Sequence, residues 1–226
     1  MSLPDLSRLD AAIVDLDGTL VDTLGDLAAS VNAMLEELHR PTLPVGQVER
    51  MVGKGSEFLV RSALEAAGAG TDLLPAAHAV WARQYEAVNG RHARVYPGVR
   101  EALAGLRDRG LRLACLTNKP QAFAEVLLDA KSLRGSFEWV FGGDAFAQRK
   151  PHPLPVELTC QALGAQPRRT LMIGDSVNDA MAARAAGCPV VLMRYGYNHG
   201  QPIESAGADA YLDSMAELLA PAAGSA

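Results

Sequence analysis

Four shortages narrow what this chain can be. Cysteine is scarce: Cys115, Cys160 and Cys188 are the only three among 226 residues. Their number is odd, their spacing is wide and no C-x-x-C pair occurs, which argues against a disulfide framework. Reduced, buried thiols in a cytoplasmic protein are expected. Basic residues are not in surplus. Lys and Arg number 21 against 26 Asp and Glu, for a formal charge of -5, whereas a nucleic-acid partner ordinarily asks for a basic face. No run comes near the roughly 18 apolar residues of a membrane span. The opening MSLPDLSRLD has no basic segment followed by an apolar core, so no secretion signal is read there. No internal repeat or low-complexity tract is present, and the closing PAAGSA reads as a frayed tail.

What is there is ordinary for a globular chain, 49% hydrophobic and 21% charged. The length suits one large domain, or a core with a small second one. Short apolar runs alternate with longer amphipathic patterns. AAIVD (11–15), LRLACLT (111–117), FEWVFGG (137–143), TLMIGD (170–175), CPVVLM (188–193) and the weaker DAYL (209–212) read as strands. They are apolar on both faces, as parallel strands covered on both sides must be. Val99, Ala102, Leu103 and Leu106 share one helical face that Gly110 ends, and 178–186 reads as another helix. The alternation predicts an open α/β sheet.

One stretch interrupts it. From Thr23 to His92 no strand is read. Leu24, Leu27, Val31, Leu35 and Leu38 mark one helix face, and 45–52, 56–67 and 71–88 follow as helical candidates. The expected organisation is therefore a discontinuous α/β core, 1–22 with 93–226, and an inserted helical domain, 23–92.

In an open parallel sheet, ligands gather beyond the carboxyl ends of the strands. Asp15 and Asp17 follow the first strand there, and Thr117 and Asn118 follow the second. Lys150, in RKPHP, comes after the third, and Asp175 and Asp179, in GDSVND, after the fourth. Carboxylates do not collect without a cation. Mg²⁺ is the natural one, since it takes hard oxygen ligands together with a substrate phosphate. Asp15 and Asp17, two apart, face the same way if the strand geometry persists; a turn would instead offer the Asp17 carbonyl to the metal. A charge count separates their tasks. Mg²⁺ and Lys150 do not balance a phosphate dianion, Asp15 and Asp175, so Asp17 is expected to hold a proton for the leaving oxygen. Asp15 is then the nucleophile, and Lys150 and Thr117 hold the phosphoryl oxygens.

These motifs, Asp15-Leu16-Asp17-Gly18-Thr19, Thr117-Asn118, Lys150-Pro151 and Gly174-Asp175-Ser176-x-x-Asp179, resemble in order and spacing the four motifs of the haloacid-dehalogenase superfamily. The resemblance spans nearly the whole chain. It implies a Rossmann-like core, a helical cap between the first two motifs and Mg²⁺-dependent phosphoryl transfer. It implies that Asp15 and Asp175 ligate the metal by side chain, Asp17 by its main-chain carbonyl, and Asp179 directly or through water. Asp17 is the acid/base in that family. VDLDGTLVDT, MVGKGSEFLVRSAL, LTNKP, RKPHPLP and above all RYGYNHG are most similar to members that cleave 2-phosphoglycolate. A small phosphorylated acid is the expected partner, of a monomer or homodimer. Substrate contacts are expected from Gly18, Thr19, Asn118 and Lys54.

Plainer readings compete at single positions. Gly53-Lys54-Gly55-Ser56 fails the phosphate-loop pattern and reads either as a helix start capped by Ser56 or as a cap loop closing on the core. His152 reads as part of a rigid turn, and Trp81, Tyr85, Trp139 and Phe141 as packing. Rival functions are a sugar-phosphate phosphatase, a pyrophosphatase or a β-phosphoglucomutase-like enzyme. Outside catalysis, a phospho-accepting signalling module or a partner-binding pseudoenzyme remains; a receiver of that kind would be about half this length.

Overall fold

A computed structural model describes residues 3–220; the closing PAAGSA lies outside them. The sheet begins with β1 (Ala11–Val14). Its other strands are β4 (Arg112–Leu116), β5 (Trp139–Phe141), β6 (Thr170–Gly174), β7 (Val190–Met193) and β8 (Ala210–Leu212). All six are parallel, in the order β5-β4-β1-β6-β7-β8. β1 lies at the centre, where Ala11 pairs with both Arg112 and Thr170. Each of the six runs read as strands forms one.

Alternation along β1 explains why its run is apolar on both faces. Ala12 and Val14 face one core with Val99, Leu103 and Leu106 of α5 (Val99–Asp108) and Leu127 of α6 (Gln121–Ala130). Ala11 and Ile13 face the other, with Val156 of α7 (Leu154–Ala162) and Ala183 of α8 (Val177–Ala186). Each fully buried Val, Leu or Ile contributes about 1.5–3 kcal/mol, so the central strand is fixed from both sides. The strand ends that carry Asp15, Thr117 and Asp175 are held with it.

The helical insertion comprises α1 (Leu24–Glu37), α2 (Val45–Glu49), α3 (Ser56–Ala66) and α4 (Leu74–Val88). α2 is shorter than its apolar pattern, and 71–73 form a separate single turn before α4. The insertion has its own core, in which Val31, Met34, Leu35, Val60, Leu64, Trp81 and Tyr85 are buried. Phe123 of α6 reaches into it from the α/β side, edge-on to Tyr85 at 5.0 Å between ring centroids. An antiparallel pair of two-residue strands, β2 (Val21–Asp22) and β3 (Arg94–Val95), carries the chain out and back. Two residues are too few for a periodicity to register, so this ribbon was not legible in the sequence. Beside it, buried Asp26 accepts the backbone N–H groups of Gly90 and His92, each at 2.7 Å.

The three cysteines are buried and free. Cys160 and Cys188, distant in sequence, have their sulfurs 3.8 Å apart. Trp139 departs from expectation: it is 45% exposed, on the edge strand β5, stacked on Phe141. No helix among the described residues is long and apolar enough to cross a membrane.

Candidate active site

The turn after β1 builds the first half of the site. Asp15 Oδ1 accepts the Leu16 N–H at 2.7 Å and lies 3.0 Å from the Lys150 ammonium. The chain then folds back on itself, the N–H groups of Thr19, Leu20 and Val21 all meeting the Leu16 carbonyl. Gly18 makes this possible. Its φ is +80°, and a Cβ there would lie 2.2 Å from Asp175 Oδ2.

Gly18 and Thr19, expected at the substrate, both adjoin Asp175. Thr19 is fully buried, and its hydroxyl donates to Asp175 Oδ1 at 2.7 Å. Asp175 Oδ2 accepts the Tyr197 N–H at 2.6 Å. Asp175 is thus oriented by partners from the first motif and from RYGYNHG. The same loop continues outward, where the Tyr197 hydroxyl meets Asp22 and the N–H of Thr23.

Asp15, Asp175 and Asp179 are buried, with oxygens within 4.8 Å of one another. Burial is the main reason that Asp15 is pushed up to about 7, with Lys150 opposing and Asp179 adding. Burial, Asp179 and Asp15 in that order hold Asp175 well above the usual carboxylate range. Burial by itself would lower the Lys150 ammonium, but Asp15 and Asp179 outweigh it and raise it. One ammonium against three buried acids leaves the group short of positive charge. The donors are all hard oxygens, which fits a small divalent cation. Asp179 is the least available of the three. Its Oδ1 takes Lys150 at 2.7 Å, and its Oδ2 takes the Ser176 hydroxyl and N–H in the box that caps α8. Its Oδ2 alone meets three donors, the third being the Asp175 N–H, whereas each Asp175 oxygen meets one.

The second half of the site comes from β4 and the cap. Thr117 and Asn118 lie at the β4 end, as expected. Thr117 Oγ1 accepts the Lys119 N–H at 3.3 Å, which leaves its own proton to donate. The Asn118 amide is a brace. It donates to the Lys150 carbonyl at 2.8 Å and to the Gly53 carbonyl of the cap at 2.9 Å. Asn178 also donates to Gly53, at 3.2 Å. The 53–55 loop is therefore seated on the core. Ser56 is the first residue of α3 rather than its cap, and its hydroxyl pairs with His78 Nε2 at 3.0 Å. His152 lies in the expected turn, where its Nδ1 accepts the Leu154 N–H.

Between cap and core lies a cavity of about 40 Å³, bounded by Asp15, Asp17, Thr117 and Lys119 and by apolar Leu27, Val52 and Trp81 among others. Lys54 does not reach it. That side chain is exposed over the Phe58 ring, 5.0 Å from its centroid, and lines a surface depression instead. The cation that does line the cavity is Lys119. Its buried ammonium lies 3.0 and 3.2 Å from the two Asp17 oxygens and 4.6 Å from the centroid of the Tyr85 ring. Burial opposes its charge, and Asp17 and Tyr85 together outweigh burial and raise it. Sequence reasoning missed Lys119, and the charge count omitted its ammonium, although it stands in the LTNKP stretch. The signal available was its place two residues after Thr117 at a strand end.

An acid cluster, a lysine and a threonine on the carboxyl edge of a parallel sheet, roofed by a helical insertion, define a capped α/β hydrolase. The chain belongs to the haloacid dehalogenase-like hydrolases, whose family model matches residues 9–187. It is 43% identical to the phosphoglycolate phosphatase of Nitrosospira multiformis, over 92% of this chain and 93% of the relative. Identity is also 43% to a plasmid-borne phosphoglycolate phosphatase of Cupriavidus necator, over 94% and 96%. Among solved structures, that of a predicted phosphoglycolate phosphatase from Haemophilus somnus superposes with a TM-score of 0.90 at 33% identity, covering 94% of this chain and 97% of that one.

Proposed function

We propose that this chain is a Mg²⁺-dependent phosphomonoesterase that converts 2-phosphoglycolate to glycolate and phosphate, with residues 23–92 as the cap over a core of 1–22 and 93–226. The observation that carries the reading is Asp15. It is a buried carboxylate at the end of the central strand, held by the Leu16 N–H and Lys150, and it opens onto a cavity closed by the cap.

Asp15 attacks phosphorus and takes the phosphoryl group as an aspartyl-phosphate. The ester oxygen leaves with a proton from Asp17, which shares the cavity. Asp17 then removes a proton from water, the water attacks phosphorus, and the Asp15 carboxylate is restored as phosphate departs. Lys150 offsets charge beside Asp15, and the Thr117 hydroxyl donates to a phosphoryl oxygen. Asp15 and Asp175, with the Asp17 carbonyl, would hold a Mg²⁺ ion, which would supply charge neutralisation for the transferred phosphoryl group. Thr19, Tyr197 and Asp179 position these groups.

The substrate assignment draws on the relatives' activity. The test is phosphate release from a panel of small monoesters, with and without EDTA. 2-Phosphoglycolate is expected to be the best substrate and EDTA to stop turnover. Asp15→Asn is expected to lose on the order of 1,000-fold or more. A fully active Asp15→Asn protein would sink the mechanism, and equal rates on all esters the substrate.

A further inference from the structure

Lys119 and Lys150 are not equivalent. The Lys150 ammonium is saturated by Asp15, Asp179 and the Leu116 carbonyl, at 3.0, 2.7 and 2.8 Å. The Lys119 ammonium has one ion-pair partner, Asp17, and lies against Tyr85, 4.6 Å from its ring centroid. An ammonium carries three N–H donors, so one remains to be used. Lys119 is also the one cation among the described residues that line this cavity. Its surroundings there are largely apolar, including Leu27, Leu59 and Pro120, and a charge in such a setting acts strongly on whatever shares it.

A second observation comes from the cap. Trp81 lines the same cavity and is 2% exposed, yet its indole N–H has no hydrogen-bond partner. A buried donor of this kind ordinarily finds an acceptor. A core cation with an N–H beyond those that meet Asp17 and a cap tryptophan whose indole N–H has no partner thus line one small space.

We infer that Lys119, with the Trp81 indole N–H, is the receptor for the carboxylate of the substrate. This rests on the phosphoglycolate reading and deepens it. The geometry is consistent with the chemistry. Asp17 serves the ester oxygen, and Lys119 is hydrogen-bonded to Asp17. In a phosphorylated two-carbon acid, the carboxylate is separated from the ester oxygen by a single methylene. A substrate whose ester oxygen meets Asp17 therefore brings its carboxylate within hydrogen-bonding reach of the neighbouring ammonium. The selectivity for an acid would then lie chiefly in the core, on the residue two beyond Thr117. Lys54, the cap cation expected from sequence, has no part in it.

The experiment compares kcat/KM for 2-phosphoglycolate and for uncharged 2-hydroxyethyl phosphate in wild type, Lys119→Met, Lys119→Arg and Trp81→Phe. In wild type the ratio of the two should strongly favour the acid. Lys119→Met should lower that ratio about 100-fold, because a site built for a charged partner discriminates steeply. Lys119→Arg, which keeps the charge, should retain most of it, and Trp81→Phe should lower it about 5-fold. The loss that Lys119→Met shows on the neutral ester reads its separate effect through Asp17. Equal losses on both substrates in Lys119→Met overturn the inference while leaving the phosphatase reading intact. A wild type with no preference for the acid overturns the substrate reading, and this inference with it. If Lys119→Met does not fold, Lys119→Gln and Trp81→Phe decide by the same ratio.

Discussion

The residues proposed to do the chemistry are surrounded by residues that hold them, and the two kinds look alike in sequence. Asp15, Asp17, Thr117, Lys150 and Asp175 were legible because a strand end is recognisable from its apolar run, and the first residues beyond it share one edge. Thr19 was not. A hydroxyl two residues from an acid reads as a phosphate donor, but its partner, Asp175, lies 156 positions away. Lys119 was overlooked for the same reason, since Asp17 is 102 positions distant. Whether a side chain beyond a strand turns inward depends on the loop, and the loop geometry has no local signature. Thr19→Val removes one of the bonds that orient Asp175, and outer partners of metal ligands are worth 10–100-fold in affinity. The Mg²⁺ concentration for half-maximal activity should rise roughly 10-fold, as read by titration at saturating substrate. Gly18→Ala should cost more, because its Cβ would fall 2.2 Å from the Asp175 carboxylate at a φ of +80°.

At the scale of elements, the sheet and the helices of the insertion were legible from period and from Gly and Pro breaks. The ribbon and the seat of the 53–55 loop were not, because both depend on pairing between distant segments. That seat is two asparagine donors on one carbonyl. Asn178→Ala leaves the Asn118 bond and removes the other, at a cost of about 1 kcal/mol. The cap should then dwell less on the core. KM is expected to rise a few-fold, and hydrogen exchange in the 53–55 loop to quicken; an unchanged exchange rate would show that this bond does not hold the cap. Asp26 is a comparable device at the hinge. Asp26→Ala leaves the Gly90 and His92 N–H groups without their acceptor, which costs about 1–3 kcal/mol. Its melting temperature should fall by roughly 2–4 °C for each of those kcal/mol, as measured calorimetrically.

The whole molecule registers the crowding of its acids. Without metal, Asp15 is pushed up to about 7 and Asp175 is raised as well, each chiefly by burial. A carboxyl raised above its unfolded value of about 4 binds more protons folded than unfolded between those two pH values. The contribution of these two acids to the stability of the metal-free protein therefore falls as pH rises from about 4 to about 7. EDTA-treated protein should melt lower at pH 8 than at pH 5, and Mg²⁺ should raise the melting temperature more at pH 8; an equal gain at both would contradict this. The chain passes between its two parts along Val21–Asp22 and Arg94–Val95, which lie side by side. That ribbon makes the roof a cartridge. Another helical insertion grafted there would change how large a leaving group the enzyme admits. The larger part of the taste for acids, anchored on Lys119 below, would stay behind with the core, and the share of Trp81 would leave with the cap.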